Sequence, residues 1–167
     1  TIFGPPVWLV VSTLILDLVP QKTSPIQFHS PDGNITVKRY SDGFVDDTTG
    51  WTNNFGGSLL TGTDPEQIKR QLQVVAQLWE QLLTTTGGKL ELTKCFFYIV
   101  HFQFDKHGLP QLCQFKQDDP TIKLTVRDSV NGETVHIANY IPTKAHKTLG
   151  VHLAPDLSDT AEYNYLI

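Results

Sequence analysis

The chain has 167 residues, enough for one domain, or a piece of one, with a sizeable core. Its net charge of −4 excludes a global positive field that would draw in nucleic acid, so such a partner needs a local groove or a basic domain elsewhere. Two cysteines, Cys95 and Cys113, exclude a disulfide framework; they read as reduced, buried small hydrophobes in an intracellular protein of the cytoplasm or nucleus, with no disulfide partner.

Pro5 and Pro6 suit the start of a helix. Val7 to Val19 is apolar enough to be a buried one, and Pro20 is expected to stop it. The run VWLVVSTLILDLV is short for a membrane span and holds Ser12, Thr13 and Asp17, so no membrane partner is expected. No basic region precedes it, as a secretory signal requires. The chain contains no Met and starts at Thr1, as if cut from something longer. QKTSP then reads as a linker. IQFHS and ITVKRY flank the turn signal PDGN and predict a hairpin.

Phe44 and Val45 favour a strand, Asp46 and Asp47 its end, and Thr48, Thr49 and Trp51 a strand again. The reading is a hairpin with both carboxylates at or beside its tip. NNFGGSLLTGT is a loop. Asp64, Pro65 and Gln67 carry helix-start chemistry. Ile68, Leu72, Val75, Trp79 and Leu82 recur at helical spacing, and Gly87 and Gly88 end the helix. CFFYIVHFQF, Cys95 to Phe104, is a strong strand; DKHG is its turn; LPQLCQF returns as an edge because of Pro110. IKLTVRD and ETVHI flank SVNG as a further hairpin. TLGVHL, Thr148 to Leu153, is a last short strand, and the tail carries no signal.

The six histidines make no HExxH or paired Cys/His spacing. No GxGxxG, Walker loop or GxSxG elbow is present. DTTG at Asp47 differs from the aspartic-protease signature, whose glycine comes one position sooner. The Asp46–Asp47 pair remains. It is either a solvated turn or part of a site where carboxylate oxygens on a rigid element hold Mg²⁺. Two such ions clamp the attacking and leaving oxygens of a phosphoryl displacement, which takes several carboxylates from more than one strand.

FVDD, Phe44 to Asp47, resembles the (Tyr/Phe)-x-Asp-Asp box of reverse transcriptases. In chain order after it, GGKLELTK (Gly87 to Lys94) is similar to that family's motif of a glycine followed seven residues on by a lysine. TLGVHL resembles the Leu-Gly turn of the primer-grip hairpin, and TIFGPPVWLVVSTLILD looks like the end of the motif-B helix. The set resembles the polymerases of copia-like retrotransposons over nearly the whole chain.

The resemblance implies an α+β fold: an antiparallel palm-type sheet with helices packed on one face and extra β-hairpins towards the C-terminus. The parts would be residues 1–20, the end of the motif-B helix; 26–52, the aspartate hairpin; 64–86, a helix; 87–104, the lysine motif and strand; 105–142, a β-hairpin insertion; and 143–155, the primer-grip-like strand. It also implies RNA-directed DNA polymerase chemistry on a template-primer of RNA or DNA with dNTPs. Asp46 and Asp47 would be catalytic metal ligands for Mg²⁺ or Mn²⁺. Lys94 would be a charge neutraliser or general acid near the incoming phosphates; its bland alternative is a surface lysine before a strand. Leu149 and Gly150 would lie at the primer grip. The family's first aspartate motif is not in this sequence, so the expectation is a fragment that is inactive alone and binds the metal only once that aspartate is supplied. The alternative is a non-catalytic retroelement remnant or an α+β binding module.

Overall fold

The computed structural model describes residues 4–23, 25–44, 47–52, 65–113, 122–148 and 150–167. In chain order the elements are α1 (Gly4–Lys22), the hairpins β1 (Ile26–His29) with β2 (Thr36–Arg39) and β3 (Ser41–Phe44) with β4 (Asp47–Gly50), and α2 (Pro65–Thr85). A 3₁₀ turn, Leu92–Lys94, leads into β5 (Phe96–Tyr98), β6 (Phe102–Phe104), β7 (Pro110–Leu112), β8 (Leu124–Arg127) and β9 (Thr134–Tyr140). The hairpin β10 (His146–Thr148) and β11 (Val151–Leu153) and the short helix α3 (Thr160–Leu166) complete the chain. The class is α+β, with hairpins running to the C-terminal end.

The central sheet has the order β5-β9-β8. β8 and β9 are antiparallel, while β5 runs parallel to β9, with Phe96 opposite Ala138. The period of two turns Phe97, Leu124, Val126 and Ile137 inward, where they form one cluster with Leu92, Ile99 and Ile122. Leu72 and Ala76 of α2 pack on that cluster. The other side of α2, through Val75 and Trp79, meets Ile15 and Val19 of α1. The helices thus stack on one face of the sheet, and the apolar stripe of α2 is shared between two partners. Among the described residues no helix is long and apolar enough to cross a membrane.

α2 also closes the free edge of the sheet. Gln73 accepts from Thr125 N–H at 2.9 Å and its amide donates back to Thr125 C=O. Gln77 does the same for Arg127, at 2.9 Å in both directions. Four helical residues rise about 6 Å and two strand residues span about 6.6 Å, so helix positions four apart stay in step with every second strand residue. The glutamines act as a surrogate strand, which leaves the β8 edge unable to pair with another chain.

Two expectations are corrected in detail. Pro20 does not end α1, which runs on to Lys22. Side chains add bonds to the last turns: Gln21 donates to Asp17 C=O at 3.0 Å and Thr23 to Val19 C=O at 2.8 Å. The strand expected over Cys95 to Phe104 is two, because its partner changes: β5 pairs with β9, and β6 pairs with β7. The inward alternation of Phe97, Ile99 and His101 continues through the change, as all three are buried. α2 stops where two glycines were read to stop it. Gly87 has φ of +84°, and the bonds Gly88 N–H to Leu83 C=O (2.9 Å) and Gly87 N–H to Thr84 C=O (3.0 Å) close the last turn.

Candidate functional site

The β3–β4 hairpin carries the acidic box. Phe44 lies opposite Asp47 and Ser41 opposite Gly50, so two residues, Val45 and Asp46, connect the strands. Asp46 lies outside the described residues, and so does Leu149. Asp47 is the first residue of β4 and is exposed. The hairpin is fixed at the opposite end. Trp51 N–H donates to Tyr40 C=O at 2.7 Å. Asp42 accepts from Arg39 at 2.8 Å and from the Trp51 indole at 3.0 Å. Thr52 donates to Gln71 of α2 at 3.0 Å, and a Cβ on Gly50 would stand 3.3 Å from Val75 Cγ1. The base is thus seated on α2, and Asp47, at the other end, is exposed.

Lys94 ends the 3₁₀ turn and is exposed. Its N–H donates to Glu91 C=O at 3.0 Å. Glu91 is held below the ordinary carboxylate range first by the Thr93 hydroxyl, with the charges of Lys94 and Lys89 adding to it. Leu92, in the same turn, is buried in the cluster that packs against Leu72 and Ala76. The box hairpin rests on α2, and the lysine turn contributes Leu92 to the core cluster that α2 covers. Among the described residues no three or more His, Cys, Asp or Glu side chains form a group that could hold a metal ion. Carboxylate oxygens suit Mg²⁺ by type, but Asp47 is the one box carboxylate described, so the number needed is not assembled here. Both thiols are free, and burial pushes that of Cys95 up.

The primer-grip-like segment is a two-stranded hairpin with the pairs His146–Leu153, Lys147–His152 and Thr148–Val151. Gly150 in its turn has φ of +89°, which favours glycine. The alternation of side chains gives the hairpin two different faces. His146 packs on Phe96 of the sheet, ring centres 4.2 Å apart, and Phe96 in turn stacks on Tyr140 at 4.9 Å. Lys144 Nζ covers the Tyr140 ring at 3.4 Å from its centre, and Tyr98 donates to Lys144 C=O at 2.9 Å. These aromatic contacts fasten the hairpin to the outer face of the sheet.

Lys147 and His152 occupy the opposite face, where α3 lies against them: His152 is half-buried and Lys147 stays exposed. Glu162 Oε2 accepts from His152 N–H at 2.7 Å and lies 3.1 Å from His152 Nδ1. Tyr165 lies against the His152 ring, 4.7 Å between centres, and its hydroxyl is 2.9 Å from Lys147 Nζ. The His152 N–H holds the Glu162 carboxyl below its ordinary value, and the charge of Lys147 contributes. This cluster was not read from the sequence. The local cue that could have pointed to it is the capping-box spacing of Asp159 and Glu162 in SDTAE, which the reading of the tail as featureless passes over. Asp159 makes no side-chain cap, and Glu162 reaches across to the hairpin instead.

Comparison with family models, with curated proteins and with solved structures finds no match in any of the three.

Proposed function

We propose that the chain is the palm portion of an RNA-directed DNA polymerase of the copia-like type and contributes two of the carboxylates of a two-metal nucleotidyl-transfer site. The observation that supports this best is the hairpin register. Phe44 opposite Asp47 is the pairing expected of an acidic box at the connection of a hairpin, and the base of this one is fixed to α2. The Gly87–Lys94 turn and the Gly150 hairpin follow in the order that the resemblance requires. On this reading Asp46 and Asp47 hold Mg²⁺, which when bound stabilises both oxygens of the displacement. Lys94 neutralises developing charge on the phosphates. On the same reading a further carboxylate comes from another segment, and activity is expected once it is supplied. The chain's template-primer and dNTP partners, and its place in cytoplasm or nucleus, belong to the same reading.

The test extends the polypeptide upstream through its neighbouring coding sequence and measures Mg²⁺-dependent primer extension. The extended wild type is expected to add nucleotides. Asp46→Asn and Asp47→Asn are each expected to lower the rate at least about 10²-fold, and Lys94→Ala by about 10²-fold. Full activity in Asp46→Asn removes the catalytic assignment. A stop codon upstream, with no frame encoding an Asp-bearing strand, favours the degenerate remnant.

A further inference from the structure

The environment of Glu162 is that of a bound anion. One carboxylate oxygen receives a backbone N–H at 2.7 Å and faces an imidazole nitrogen at 3.1 Å. The ammonium of Lys147 lies on the same face, since Lys147 and His152 are cross-strand partners. The N–H of His152 is free for this because it points out of the two-stranded ladder rather than across it. A backbone N–H and an imidazole meeting at one carboxylate oxygen, with an ammonium on the same face of the hairpin, are donors of the kind that recognise phosphate oxygens.

The helix that supplies the carboxylate is weakly held. α3 has seven residues, too few to be stable alone, and none of them is buried. Its attachment rests on Glu162 and Tyr165, whose partners are His152 and Lys147. Glu162 is partly exposed, at 24% of its side-chain surface. Residues 154–159 connect the two groups, so the carboxylate is a tethered competitor present at high effective concentration.

We infer that the Lys147–His152 face of the β10–β11 hairpin is a phosphate-oxyanion site and that α3 masks it, with Glu162 standing where a phosphate oxygen binds. A phosphate ligand displaces Glu162, α3 swings away, and Tyr165 leaves Lys147. That the ligand is a nucleic-acid phosphodiester rests on the polymerase reading above. The cradle itself does not, and free polyphosphate has the same chemistry.

The experiment uses the full 167-residue chain. Binding of inorganic tripolyphosphate and of a fluorescent single-stranded oligothymidylate is measured at fixed low salt. Glu162→Gln keeps an oxygen on His152 N–H but removes the charge, and it is expected to bind at least one probe about tenfold more tightly than the wild type, because the competent state becomes the populated one. Adding Lys147→Ala to Glu162→Gln is expected to cancel the gain. In the wild type, tripolyphosphate is expected to speed amide hydrogen exchange across α3 while leaving β8 and β9 protected. A gain for the oligonucleotide identifies a phosphodiester, and a gain for tripolyphosphate alone identifies a free polyphosphate. The inference is overturned if Glu162→Gln gains no affinity for either probe, if the gain survives Lys147→Ala, or if saturating tripolyphosphate leaves α3 exchange unchanged. Any of these results leaves primer extension by the longer polypeptide untouched. Loss of extension there leaves tripolyphosphate binding here untouched, so the two readings fail separately.

Discussion

Two glutamates hold two pieces of this molecule together with the same chemistry and opposite consequences. Glu80 of α2 accepts from Ser129 N–H at 2.8 Å and from the Ser129 hydroxyl at 2.6 Å. Glu162 of α3 accepts from His152 N–H and faces its ring. Each bridges a helix to a backbone donor just beyond or within a strand. Glu80 is 3% exposed and continues the surrogate strand begun by Gln73 and Gln77, on a helix whose two sides are both in the core. Glu162 stands on a helix with nothing buried behind it. The hydrogen bond is alike in both places, and burial decides whether it is structural or exchangeable. Solvent reaches the half-buried Glu162 and has little access to Glu80.

The largest effect that sharpens this contrast comes from the cluster under β8. Leu124 is 1% exposed, and Leu124→Ala is expected to cost about 2–5 kcal/mol of global stability, read by urea denaturation. Leu153→Ala, on a side chain 58% exposed in the β10–β11 hairpin, is expected to leave the midpoint unchanged. If both substitutions destabilise alike, the two regions are one cooperative unit, and the contrast between buried core and exposed rim fails.

A smaller effect is expected at Glu80. Glu80→Ala leaves Ser129 N–H and the hydroxyls of Ser129 and Thr84 without their acceptor. The expected loss is about 1–3 kcal/mol in the same measurement. Removing Glu162 by the same substitution is expected to change α3 exchange and not the global midpoint. A loss of global stability at Glu162 equal to that at Glu80 breaks the contrast.

The sequence made the regular parts of this division legible and left the bonds between them hidden. α2 was readable because apolar spacing, Pro65 and the Gly87–Gly88 stop all act locally. The hairpins at Asp32–Gly33 and Asn131–Gly132 were readable because turn chemistry is local too. Gly33 and Gly132 have φ of +73° and +75°, the values that such turns demand. The glutamine surrogate strand was not readable. Gln73 and Gln77 look like solvent-facing helix residues until the strand some fifty positions later is placed beside them. The change of sheet between β5 and β6 was invisible for a related reason: the inward alternation does not break where the partner changes. Of the candidate site, the hairpin around Phe44 and Asp47 was legible; TLGVHL, read as one strand and by resemblance as a Leu-Gly turn, is the end of β10, the turn and β11, and the pairing of His152 with Glu162 joins positions that carry no mutual signal.

The smallest effect, and the one that tests both glutamates in a single titration, is acid. Burial pushes the Glu80 carboxyl up, but the bonds from Ser129 and Thr84 outweigh it and hold the group below its ordinary 4.5. Glu162 is likewise held below 4.5, chiefly by His152 N–H. A carboxyl whose folded pKa is depressed binds fewer protons folded than unfolded. Its contribution is therefore fully present above 4.5 and is lost as pH falls through the lower folded value. Denaturation of the wild type and of Glu80→Ala is expected to converge as pH drops below 4.5, because protonation removes what the substitution removed. For Glu162 the same titration acts locally. Amide exchange across α3 is expected to accelerate below 4.5, after correction for the intrinsic rate, while β8 and β9 stay protected. Exchange in α3 and β8 rising together at one pH means that a single cooperative unfolding exposes both carboxylates, and the separation of a fixed clasp from an exchangeable one fails. If α3 opens first, the hairpin cradle is already uncovered in an otherwise intact fold, which is the state that an incoming phosphate has to find.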